Sequence, residues 1–113
     1  MGLRAACAAA VCALCAAAPA FAQGSIDEGL RDCEKLAAVK FKRDNPAFKH
    51  FAIAREDAEQ DKFTDKVGSQ YVSSVYLGKA TYQAAGVPEN VRFICLHAGY
   101  GKGAVFVYTL PLN

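Results

Sequence analysis

Of the five cysteines in this 113-residue chain, only Cys33 and Cys95 lie beyond the first 22 residues. Those first residues, MGLRAACAAAVCALCAAAPAFA, carry one charge, Arg4, followed by an uncharged run that ends in Ala20-Phe21-Ala22. The pattern is that of a secretory signal peptide, cleaved after Ala22. An exported chain that keeps two cysteines is expected to join them. The bridge would close a loop of about sixty residues, worth about 4 kcal/mol in the chain-entropy account. That is a large share of the roughly 5–9 kcal/mol expected of so small a domain. The core alone is marginal, because such a chain buries only about 60–65% of its unfolded surface.

The same segment bounds location. Its apolar run is short for a membrane span and no stop-transfer segment follows it. None of Cys7, Cys12 and Cys15 is preceded by the residues a lipid-attachment site needs. The expectation is therefore a free periplasmic or secreted protein: residues 1–22 as signal, 23–113 as one small domain. The formal net charge is +2, and +1 once Arg4 leaves with the signal. A near-neutral chain has no electrostatic footprint for nucleic acid.

Residues 25–44, SIDEGLRDCEKLAAVKFKRD, read as a helix. Ser25 with Glu28 makes a capping box, and Asn45-Pro46 ends the run. Ile26, Leu30, Cys33 and Ala37 recur on one face, so Cys33 falls in the apolar stripe. Gly29 costs this helix about 1 kcal/mol relative to alanine. Residues 48–55 read as a strand with Phe51 and Ile53 inward. The charged stretch 56–66, EDAEQDKFTDK, reads as a long loop or a short, poorly packed helix. Residues 70–83 are rich in strand formers, with a bulge or bend expected at Gly78. Residues 84–90 read as a turn. VRFICLH (91–97) alternates with Val91, Phe93 and Cys95 on one face, and 104–110 reads as a last strand. Hairpin-length links require antiparallel neighbours. The expected fold class is α+β: an N-terminal helix on a curved antiparallel sheet of about four strands, stapled by one disulfide.

Several residues could carry chemistry. Cys95-Leu96-His97 offers two metal ligands, but a structural zinc site needs four and this spacing matches no standard pattern. The glycines of AGYGKG (98–103) run into a strand, whereas a phosphate loop runs into a helix, so they read as a hairpin turn. Ser69, Ser73 and Ser74 lack a nucleophile elbow, and His50 and His97 are the only imidazole bases. The acidic pairs of 56–65 read as a solvated surface. The sequence thus calls for no catalytic set, no metal and no cofactor.

Two features suit recognition. KFKRDNPAFKH (40–50) gathers Lys40, Lys42, Arg43 and Lys49 around Phe41 and Phe48, which could touch an anionic envelope component. Dipole-matched cations at a helix end explain the same residues. Tyr71, Tyr76, Tyr82, Tyr100 and Tyr108 could form a recognition patch where exposed, with Tyr100 and Lys102 at the 98–103 tip. Cross-strand pairing explains them equally. In size, export signal and a strand cysteine, the chain resembles the periplasmic lysozyme inhibitors in outline, without their signature motif. The expected function is a non-catalytic binding module of the bacterial cell envelope, with an envelope protein or anionic surface component as partner. A secreted enzyme inhibitor is the alternative, and a small metal-dependent hydrolase using His50 and His97 the third reading.

Overall fold

The computed structural model describes residues 26–112; the expected signal segment and the expected Ser25 cap lie outside the described residues. A helix, α1, occupies 26–44. It is followed by β1 (His50–Ile53), a 3-10 turn (Arg55–Asp57), β2 (Glu59–Val67), β3 (Gln70–Gln83), β4 (Glu89–His97) and β5 (Ala104–Pro111). All pairings are antiparallel, in the order β1-β3-β4-β5, with β2 also pairing β3. β1 lies against residues 80–83 of β3 and β2 against residues 70–77. β1 and β2 therefore run end to end along one edge, and the sheet is an open four-position meander covered on one face by α1.

The helix ends where the sequence says it must. The Asn45 side chain accepts a hydrogen bond from the Ala47 amide at 3.0 Å, and the Phe48 amide donates to the Asn45 carbonyl. Proline at 46 cannot continue the ladder. Phe41 then packs edge-on against Phe51 and Tyr82, each 5.4 Å between ring centroids. Along the helix, Leu30, Cys33 and Ala37 are fully buried. They cluster with Tyr76 and Ala80 of β3, Val91, Phe93 and Cys95 of β4, and Val107 of β5. The alternation expected for β4 holds, and so does the parity of Phe51 and Ile53 in β1. The Cys33–Cys95 disulfide joins the two apolar stripes, with 6.1 Å between Cα atoms. Arg55 grips Glu34 in a two-pronged pair of 2.9 and 3.0 Å, and the Ile53 amide donates to the same carboxylate. This fixes α1 to the end of β1.

Three expectations are corrected. Residues 56–66 are neither loop nor helix. From Glu59 on they form β2, exposed along its whole length and paired to β3 through a two-residue turn at Gly68-Ser69, while 56–57 belong to the 3-10 turn. A strand that is polar but for Phe63 and Val67 forms because β3 offers a free edge and the turn sets the register. The irregularity expected at Gly78 lies in the neighbouring chain. β3 runs through Gly78 in register with Phe93, and it is residues 54–58 that leave the ladder opposite it. The sheet accordingly has five strands in place of about four, and the first is His50–Ile53, shorter than 48–55.

The outer edge at β5 is guarded. The Lys40 ammonium donates to the Val107 carbonyl at 3.0 Å and lies 4.9 Å from the centre of the Phe106 ring. A cation and the nearby Pro111 make this edge a poor template for a further strand. Among the described residues no helix is long and apolar enough to cross a membrane.

Candidate functional site

The β4–β5 connection is a braced tip. The Lys102 amide donates to the Gly99 carbonyl and the Ala98 amide to the Gly103 carbonyl, both at 2.9 Å. Gly101 has φ 76° at the third position of the turn, where a type II turn requires a left-handed residue. Tyr100 takes the second position and is 89% exposed. A large rigid side chain is thus held out on backbone that is already ordered.

His97 supports the tip from below. It is 4% exposed. Its Nδ1 accepts a hydrogen bond from the Gly99 amide at 3.0 Å, and its Nε2 lies 2.9 Å from Asp32 Oδ2. Nδ1 must be unprotonated to accept from an amide, so Nε2 carries the proton and donates to the carboxylate. The ring stands edge-on to Tyr76, with centroids 5.8 Å apart. Asp32, His97 and Gly99 therefore form one brace from helix to tip. Both ring nitrogens are engaged, leaving neither for a substrate proton. The Ser73 hydroxyl bonds the His97 carbonyl at 3.4 Å, not the imidazole.

Beside the brace lies an open cleft of about 370 Å³ between the N-terminal turns of α1, β2 and the tip. Its walls include Asp32, Lys62, Thr64, Tyr76, His97 and Tyr100. Thr64 has φ 40° at a bulge, where Phe63 and Thr64 together face Ser73. A β-branched residue at positive φ is strained, and such strain clusters at working sites. Tyr76 closes the floor. Its hydroxyl accepts from the Gln60 amide at 3.2 Å. Burial raises the pKa of that hydroxyl above its ordinary value, against a smaller opposing effect of the Ser74 hydrogen bond, and the charge of Asp32 adds to the rise. The cleft thus mixes one cation, carboxylates, hydroxyls and aromatic faces.

The residues singled out from sequence divide into two groups. Tyr100 and Lys102 sit together at the tip. Lys40, Lys42, Arg43 and Lys49 lie around the end of α1 and the start of β1. His50 pairs with Gln83 and His97 with Ser74, nine residues apart along β3. At about 3.3 Å per residue the two ends are about 30 Å apart. One small ligand cannot span them, and joint chemistry by His50 and His97 fails on reach. The basic set is also partly committed. Lys40 guards β5, Lys42 caps the Pro46 carbonyl, and Arg43 faces Asp44. Cys95 is in the disulfide and is no metal ligand. Of the tyrosines, Tyr76 is buried and Tyr82 packs on the core, while Tyr71, Tyr100 and Tyr108 are exposed.

Sequence reasoning missed the Asp32–His97 brace and the wall contributed by β2. The Gly68-Ser69 dipeptide was the available signal for β2, since Gly-Ser between two runs is a hairpin turn. Nothing local pairs residue 32 with residue 97. Comparison with protein-family models, curated proteins and solved structures found no match to this chain.

Proposed function

We propose that this chain is an exported bacterial protein, periplasmic or secreted, that acts as a non-catalytic binding module of the cell envelope. It takes its partner at the 98–103 tip and the cleft beside it. The observation that carries the reading is Tyr100, fully presented on a turn braced through His97 to the helix. Ordering a contact loop before binding removes much of the entropy cost of association. Tyrosine adds large contact area at little rotamer cost. Export rests on the N-terminal pattern and on the disulfide.

The test is capture from an envelope extract on immobilised, disulfide-bonded protein. A specific partner should be retained by the wild type, lost with the Tyr100→Ala/Lys102→Ala variant, and unaffected by Lys42→Ala/Lys49→Ala. Retention by the tip variant would contradict the reading. Loss only with the lysine variant would move recognition to the basic end and to an anionic surface component.

The rigid projecting turn also favours a second reading, a secreted enzyme inhibitor. That reading requires a one-to-one complex in which the partner is an enzyme, such as a lysozyme, that loses activity in proportion to complex formed. Full activity in the saturated complex would remove it.

A further inference from the structure

The sheet has two apolar faces and α1 covers one. Cys95 is bonded to the helix, so its row (Tyr76, Cys95 and Val107) points inward. The rows on either side of it point away. One is Val75, Leu96 and Phe106; the other is Leu77, Ile94 and Tyr108. Leu110, opposite Arg92, extends the patch. Phe106 and Tyr108 are 42% and 50% exposed, and their rings stack at 6.3 Å. A sheet with one solvated face carries polar residues there, whereas near-continuous apolar strands mark burial on both faces. An apolar patch of this kind on a free surface marks an interface.

The charges around the patch are self-complementary. β2 places Glu59 beside Leu77 and Asp61 beside Val75. One row beyond Leu77 and Ile94 stand Lys79 and Arg92. Among the described residues none of these four is in an ion pair. Take the midpoint of Leu77 and Ile94 as centre. Glu59 lies about 7 Å from it across the strands, at about 4.8 Å per strand. Lys79 and Arg92 lie about 7 Å from it along the strands, two residues at about 3.4 Å. A two-fold axis along the diagonal exchanges these directions. It sets Glu59 of each copy over Lys79 and Arg92 of the other, and Tyr108 over Val75 and Leu96. The strands then cross near a right angle, one of the two ways sheets stack. An axis along the strands instead sets Glu59 over Tyr108 and Asp61 over Phe106, and one across them sets Glu59 over Glu59; the diagonal leaves Asp61 over Leu110 but pairs Glu59 with both cations.

We propose that this outer sheet face is the interface of a homodimer, two copies packed face to face with crossed strands and Glu59 of each against Lys79 and Arg92 of the other. The patch and its charged rim outline about 500 Å² per copy from the strand and residue spacings. This is the lower edge of specific interfaces, so the dimer is one that dissociates on dilution. The tip and cleft, walled by α1, stay open.

Sedimentation velocity on the disulfide-bonded protein, from about 5 µM to 1 mM, tests this. The expected result is a monomer–dimer equilibrium. Ile94→Lys should abolish it, and Tyr108→Lys serves if the first variant loses its cooperative melt. Glu59→Lys alone should weaken the dimer at least tenfold. Glu59→Lys combined with Lys79→Glu and Arg92→Glu should restore it. A monomer throughout the range overturns the proposal, including one that binds vesicles or a different protein through this face. So does a dimer indifferent to Ile94→Lys and Tyr108→Lys. A dimer sensitive to those but indifferent to the charge variants overturns the crossed arrangement.

Discussion

Gly29→Ala separates two forces that pull in opposite directions. Within a helix, alanine is better than glycine by about 1 kcal/mol, because glycine loses more backbone freedom on folding. On that ground the substitution stabilises. The structure reverses the sign. A Cβ built at residue 29 falls 2.0 Å from the Tyr76 hydroxyl oxygen and 2.3 Å from Cζ of the same ring. Tyr76 is 3% exposed and held by Gln60, so its ring has little room to retreat. Overpacking of this kind costs about 1–3 kcal/mol. The net expectation is a loss of about 1 kcal/mol, which lowers the melting midpoint by about 4–8 °C in a domain this size. The assay is urea and thermal unfolding of the oxidised protein, run as a double-mutant cycle with Tyr76→Leu. Leucine lacks Cζ and the hydroxyl, so in that background Gly29→Ala should become stabilising by up to about 1 kcal/mol. A Gly29→Ala protein more stable than wild type with Tyr76 in place would refute the reasoning.

Three further predictions follow from named contacts. Cys33→Ala or Cys95→Ala should cost about 2–4 kcal/mol and increase proteolysis; unchanged melting midpoints in both would sink the structural role of the bridge. The Glu34 carboxyl is pushed up by burial, but the Arg55 hydrogen bonds, the Ile53 amide and the charge of Arg55 outweigh this and hold it below its ordinary 4.5. Its folded value is depressed, so its contribution is complete above 4.5 and is lost as pH falls through the folded value. Glu34→Gln should therefore lower stability at neutral pH and flatten the acid limb of the stability profile below 4.5; an unchanged acid limb would contradict this. His97→Ala should cost about 1–3 kcal/mol by leaving Asp32 and the Gly99 amide without their partner. It should also speed amide exchange at Gly99 and Lys102, and exchange as slow as in wild type would show the tip is braced otherwise.

What was legible in the sequence was carried by periodic apolar residues. Leu30, Cys33 and Ala37 at helical spacing, and Val91, Phe93 and Cys95 at strand spacing, mark their buried faces, and the disulfide follows from both. β2 was illegible by the same measure. Its nine residues are all exposed, so no apolar alternation marks it, and its strand character is borrowed from the edge of β3. The site is harder still. The Asp32–His97 contact joins residues 65 positions apart through the crossing of α1 over β4. The reason for Gly29, a weak helix residue in isolation, is visible only once Tyr76 lies beneath it. The tip was readable because glycine at a turn has a local cause.

The measurement that bears most directly on the account is the intact mass of the protein from its native compartment, with and without reduction and alkylation, under denaturing and native spray. An exported, disulfide-stapled binding module predicts a chain beginning at Gln23, two hydrogens lighter than the reduced form, and without metal. Free thiols with a bound metal ion, or a chain still beginning at Met1, would contradict it.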